Sequence, residues 1–116
     1  MVTRLPALDA GARIWAIADS HLSFERPDRD MTRFGDEWID HPTQLLEGCH
    51  ANVADNDVLL IAGDLSWARK RSEVGQDLEF LANLPGIKVV IRGNHDHWWK
   101  AKQPISFPGL LEPPVI

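Results

Sequence analysis

The chain has a single cysteine, Cys49, no tyrosine, and no apolar run longer than the five residues Val58–Ala62. Each shortage excludes something. One cysteine excludes an internal disulfide framework and suits a reducing compartment. So short an apolar run cannot form a membrane-spanning helix, which takes about 20 residues. Residues 1–12 lack the apolar core of a secretory signal, so a cytoplasmic location is expected. Lysine and arginine number 12 against 17 aspartates and glutamates, for a formal charge of −5. That balance argues against broad electrostatic capture of nucleic acid. No Gly-rich phosphate loop of the Walker or dinucleotide type occurs, which speaks against a nucleotide-binding module. What remains is 116 residues, 44% hydrophobic and 25% charged, the make-up of one soluble globular domain.

No repeat or low-complexity tract breaks the chain. Residues 13–18 read as a short strand, and residues 19–37, polar with Pro27 and Gly35, as a long loop. Near Asp40 a helix starts, with Pro42 in its first turn and Leu45, Leu46, Cys49 and Val53 along one face. Gly48 weakens it. Asn56 and Asp57 turn the chain into Val58–Ala62, a continuous apolar run that fits a strand buried on both faces. After a second loop over 63–71, Ser72 is placed to cap a second helix with Val74, Leu78 and Leu81 on its buried stripe. Leu84-Pro85-Gly86 ends that helix, and Ile87–Ile91 is a third strand rich in β-branched residues. The order β-α-β-α-β predicts an α/β fold with a parallel sheet and right-handed crossovers.

In such sheets ligands bind beyond the carboxyl ends of the strands. Those ends carry Asp19-Ser20-His21, Gly63-Asp64 and Arg92-Gly93-Asn94-His95-Asp96. Asp19 and His21, two residues apart, project to the same side, so a carboxylate and an imidazole can share a cation. Asp64 on the neighbouring strand can join them, and Asn94 adds a neutral carbonyl oxygen. Oxygen and nitrogen donors without thiolate suit manganese, iron or catalytic zinc better than a structural zinc site. Taken singly, Asp19-Ser20-His21 is an ordinary loop start and Gly63-Asp64 an ordinary strand-to-turn signal. Gly93-Asn94-His95-Asp96 is rarer: average usage puts it in a chain of this size by chance on the order of a few times in ten thousand. Placement of all three at successive strand ends makes the set specific.

The series Asp19-x-His21, Gly63-Asp64, Gly93-Asn94-His95-Asp96 resembles the calcineurin-like metallophosphoesterase family. Phe34-Gly35-Asp36-Glu37-Trp38, Leu60-Ile61-Ala62-Gly63-Asp64-Leu65-Ser66-Trp67 and Ile91-Arg92-Gly93-Asn94-His95-Asp96-His97-Trp98-Trp99 look like a bacterial phosphohydrolase subgroup of it. The resemblance covers residues 13–99. It implies metal-dependent phosphoester hydrolysis by in-line attack of a hydroxide bridging two divalent ions, manganese, iron or zinc. It implies that Asp19 and His21 hold one metal, that Asp64 bridges both, and that Asn94 holds the second. His95 would serve near the leaving group and Asp96 would orient it. Read without the family, Asp96 fits a loop cap as well.

The family pattern continues with a further histidine and a Gly-His-x-His motif. This chain's histidines are His21, His41, His50, His95 and His97, with none beyond, so both metal shells would be short of ligands. The family fold is two facing sheets flanked by helices. Residues 1–116 therefore read as a single partial domain, the first half of that sandwich, with one apolar sheet face expected to lie open. Residues 100–116, with Pro104, Pro108, Pro113 and Pro114, read as an irregular tail. Two alternatives stand beside the enzyme: a truncated, inert fragment that binds one metal weakly or acts only with a partner chain, and a short variant whose second half and missing ligands come from another chain, a second copy included. His97, Trp98 and Trp99 read mainly as packing residues, with the lining of a substrate cleft as the alternative; Arg69, Lys70 and Arg71 read as a solvated face, with contact to a substrate phosphate as the alternative. Trp38 and His41 read as helix-entry packing or as neighbours of the site. The phosphorylated substrate is not indicated.

Overall fold

A computed structural model describes residues 10–100 and 105–111 of the chain. Its sheet consists of β1 (Ile14–Ile17), β2 (Val58–Ala62) and β3 (Ile87–Ile91). The strands are parallel, in the order β1-β2-β3. Helix α1 (His41–Asn52) joins the first two, and α2 (Gly75–Ala82) the last two. Strands and first helix fall where the apolar patterning places them.

The register puts Trp15 beside Leu59, Ile17 beside Ile61, and Ile61 beside Val90. These rows form one face of the sheet. They pack into a core with Cys49 and Val53 from the first crossover, Val74 and Leu81 from the second, and Trp98 and Trp99. Two right-handed crossovers stepping the same way along the sheet put both helices on one side. Burying a side chain such as Leu59 or Ile61 stabilises the fold by roughly 1.5–3 kcal/mol. The opposite face is partly open, as expected for half a sandwich: Ile14 and Ala16 are exposed and Leu60, Ile87 and Ile91 half-buried. No helix among the described residues is long and apolar enough to cross a membrane.

Helix α2 does not start at Ser72. Arg71–Glu73 form a short 3-10 turn, and the residue before α2 is Val74, which has no side-chain acceptor. The cap comes from far away: Glu25 Oε2 accepts the Gln76 N–H at 2.9 Å. Residues 19–37 hold three 3-10 turns, at Pro27–Arg29, Met31–Phe34 and Asp36–Trp38, and an isolated β-bridge from Leu22 to Ser66. The described part of the tail is irregular yet ordered against β3. Lys88 N–H donates to Gly109 O and Leu111 N–H to Lys88 O, both at 2.8 Å. Ile105 is buried. Pro104, Pro113 and Pro114 lie outside the described residues.

Candidate metal centre

The loops after β1 and β2 run on side by side beyond the strands. Asp19 N–H donates to Gly63 O at 3.2 Å, His21 N–H to Asp64 O at 3.0 Å and Leu22 N–H to Leu65 O at 2.9 Å. Ser20 turns inward, its hydroxyl on Leu65 O at 3.0 Å. His41 Nε2 sits 2.8 Å from Ser20 O and holds the loop from the α1 side, while Trp38 meets the His41 ring edge-on. With Ser20 turned in, Asp19 and His21 share the other side. Ligand atoms of Asp19, His21 and Asp64 all lie within 4.8 Å of one another.

The backbone there is unusual. Asp19, His21 and Asp64 have φ of 55°, 42° and 50°, the left-handed region that non-glycine residues seldom enter. The fourth such residue among those described is Asp40. Strain of this kind costs on the order of 1–3 kcal/mol per residue and persists where the surroundings impose it, often at functional sites. Two glycines permit the approach of the β2 and β3 loops. A Cβ on Gly93 would lie 2.2 Å from Asp64 N and Oδ1, and one on Gly63, itself at φ +81°, would lie 3.0 Å from Gly93 Cα.

These residues fit a divalent cation. Two carboxylates and an imidazole are a common oxygen–nitrogen donor set for manganese, iron or zinc. His21 Nδ1 is enclosed and has no hydrogen-bond partner among the described residues. A buried polar atom without a partner calls for an explanation, and a bound ion is one. Desolvation lowers the His21 pKa against the pull of Asp64 and Asp19, which favours the neutral, ligating ring. Burial raises the Asp64 pKa, but hydrogen bonds from His95 outweigh it and hold the carboxyl below its usual value.

The third strand end supplies His95 and Asp96 in different roles. His95 N–H donates to Asp64 Oδ1 at 2.9 Å, and its Nδ1 lies 3.0 Å from Asp64 Oδ2. Its side chain is 45% exposed, open to a ligand. Asp96, expected to orient His95, makes no hydrogen bond to its ring among the described residues; the His95 ring meets Asp64. Asp96 is fully buried. Its Oδ1 accepts from Leu65 N, Ser66 N and Trp98 Nε1, and its Oδ2 from Gly93 N. All that capacity goes to tying the β3 loop to the β2 loop, as a loop cap. Asn94 lies exposed on the loop beside His95, and its side chain makes no hydrogen bond among the described residues.

Trp67, Asp77 and Asp57 add structure that the motifs do not announce. The Trp67 indole stacks on the His21 ring, centroids 4.7 Å apart and planes 18° inclined, and donates through Nε1 to Met31 Sδ at 3.2 Å. Asp77 is buried, accepting the Phe24 N–H at 3.0 Å and the Ser66 hydroxyl. The spacing Val74, Asp77, Leu81 already puts it on the buried stripe of α2. Asp57 accepts from Arg13 N, Trp15 Nε1 and Ala54 N, fastening β1 to the start of β2. An open cleft of about 400 Å³ above the cluster is lined by Asp19, His21, Met31, Phe34, Trp38, Trp67 and His95. Trp98 and Trp99 are core residues, stacked at 5.5 Å, whereas His97 is exposed.

Comparisons with known proteins give relatives, a similar fold and a family. The chain is 33% identical over 85 residues to the Gene 66 protein of Mycobacterium phage D29, which covers 73% of this chain and 41% of that protein. It is 27% identical over 82 residues to the Gene 66 protein of Mycobacterium phage L5, covering 71% of this chain and 39% of that protein. The chain thus spans about two fifths of the length of these relatives. A crystal structure of a protein of unknown function from Aquifex aeolicus superposes with a TM-score of 0.50 at 25% identity, over 77% of this chain and 44% of that one. The family model described as calcineurin-like phosphoesterase matches residues 12–115.

Proposed function

Since the chain belongs to the calcineurin-like phosphoesterase family, we propose that Asp19, His21 and Asp64 hold a divalent cation that serves hydrolysis of a phosphoester. The observation that carries the reading is the cluster itself: three donors from two strand ends, within 4.8 Å of one another, one of them with a buried and unpartnered nitrogen. A cation held there would act as a Lewis acid toward a phosphoryl oxygen and lower the pKa of water.

The chain's own residues do the rest. Asp64 presents an ionised carboxylate fixed by two contacts from His95. The exposed His95 ring stands at the edge of the cleft, where it donates a hydrogen bond or a proton to the departing oxygen. Asp96 acts through the loop it clamps, by holding Gly93 N and thereby the position of His95. Asn94 lies beside His95 as a further oxygen donor. Met31, Phe34, Trp38 and Trp67 give the cleft apolar walls against which an organic leaving group packs.

Donor count favours a second reading, cation binding without turnover. Among the described residues the cluster is the one group of three or more histidine, cysteine or acidic ligands. A second ion would have only Asp64 and Asn94. The experiment that separates the readings is hydrolysis of a chromogenic phosphodiester by the purified chain with added Mn²⁺, alongside Asp64→Asn and His95→Ala. Turnover lost in both variants supports hydrolysis, and equal rates in all three proteins leave only cation binding.

A further inference from the structure

Beside the metal cluster lies a second cleft of about 350 Å³, lined by Arg29, Trp67, Arg69 and His97. Three separate stretches of chain meet there: the 3-10 turn Pro27–Arg29, the loop after β2 and the loop after β3. Apart from Trp67, each lining residue carries positive charge or can acquire it, in a chain of net charge −5.

The acidic groups nearby are engaged mainly by Arg26. Asp28 is bound by Arg26 at 2.8 Å and makes a longer ion pair with Arg29 at 3.9 Å. Glu73 accepts the main-chain N–H of Arg69 at 3.0 Å and faces the Arg26 guanidinium at 3.5 Å. Arg26 thus answers both acids, and among the described residues the Arg69 guanidinium has no ion pair. Guanidinium groups match tetrahedral oxyanions through paired N–H donors. Trp67 belongs to both clefts and stacks on His21, so a group bound here is one indole away from the cation donors.

We propose that this second cleft is an anion subsite for a phosphate group other than the one under attack at the metal cluster. That group is either a second phosphate on the substrate or free inorganic phosphate. The substrate case rests on the phosphoester-hydrolase reading, and the binding itself does not.

The test begins with inorganic phosphate titrated into the full chain with a chelator present, followed by the NMR resonance of the Trp67 indole N–H, assigned with Trp67→Phe. A saturable shift is expected. Arg29→Ala and Arg69→Ala, both surface changes, should each weaken it about tenfold, while Asp64→Asn should leave it intact. No saturable shift, or one that survives both arginine substitutions, overturns the subsite. A kinetic arm identifies the occupant. An aryl phosphodiester carrying a second phosphate should exceed its plain analogue in kcat/KM by about tenfold, a preference that Arg69→Ala removes. Phosphate binding without that preference supports the site with free phosphate as its occupant. Phosphate binding without turnover of either ester overturns the hydrolase reading and leaves the subsite standing.

Discussion

Both carboxylate oxygens of Asp64 are held by one residue, His95, whose main-chain N–H meets Oδ1 at 2.9 Å and whose ring Nδ1 meets Oδ2 at 3.0 Å. This pair joins the second and third strand ends and sets the carboxylate toward Asp19 and His21. It also couples the His95 ring to the cation position. His95→Ala removes the ring contact and keeps the main-chain bond. The expected result is a large loss of turnover with cation affinity changed by no more than several-fold, read by comparing Mn²⁺ titration with the rate of ester hydrolysis.

Gly93 sets how closely the loops approach. An added methyl group would lie 2.2 Å from two atoms of Asp64, one of them backbone. Gly93→Ala should destabilise the chain by about 1–3 kcal/mol, as overpacking does, and weaken Mn²⁺ binding as well. Urea unfolding and calorimetric titration on the same protein check both outcomes.

The Ser66 hydroxyl donates to buried Asp77 and accepts the Ala68 N–H at 2.9 Å. Burial raises the Asp77 pKa, against the hydrogen bonds from Ser66 and Phe24. Ser66→Ala would leave one carboxyl oxygen and one N–H unpaired inside the protein. A loss of about 1–3 kcal/mol is expected in urea unfolding. The loop carrying Trp67 should loosen at the same time, visible as faster amide exchange over residues 65–68.

Asp57 controls acid stability at the β1 edge. Hydrogen bonds from Ala54 N, Arg13 N and Trp15 Nε1 hold its carboxyl below the ordinary value of 3.8. A carboxyl with a depressed folded pKa contributes stability at pH above the unfolded value, and loses it as pH falls through the folded one. Wild-type stability should therefore decline below about pH 4. Asp57→Asn should be less stable at neutral pH and show a flatter dependence over that acid range. Thermal unfolding between pH 2 and pH 7 measures the difference.

Much of the sheet was legible because its signals are local. Val58–Ala62 and Ile87–Ile91 are apolar, bounded by turn residues, and form strands over those limits. The three strand-end motifs could be seen to converge because a parallel sheet aligns its carboxyl ends. What could not be read depends on distant partners. Glu25 caps a helix that begins 50 positions later, so Ser72 looked like the natural cap. For Asp96 a loop cap is a local reading, but its partners Leu65 and Ser66 belong to another loop, which no spacing announces. The stack of Trp67 on His21 likewise joins two loops that no sequence spacing relates.

Cation binding by Asp19, His21 and Asp64 is the centre of the account, and Mn²⁺ titration of the chelator-treated chain, followed by electron paramagnetic resonance, tests it most directly. Saturable binding that Asp64→Asn and Asp19→Asn each weaken by at least tenfold, with circular dichroism unchanged, is the expected result. Absence of saturable binding, or binding equally strong in both variants, would contradict the assignment of these residues as ligands.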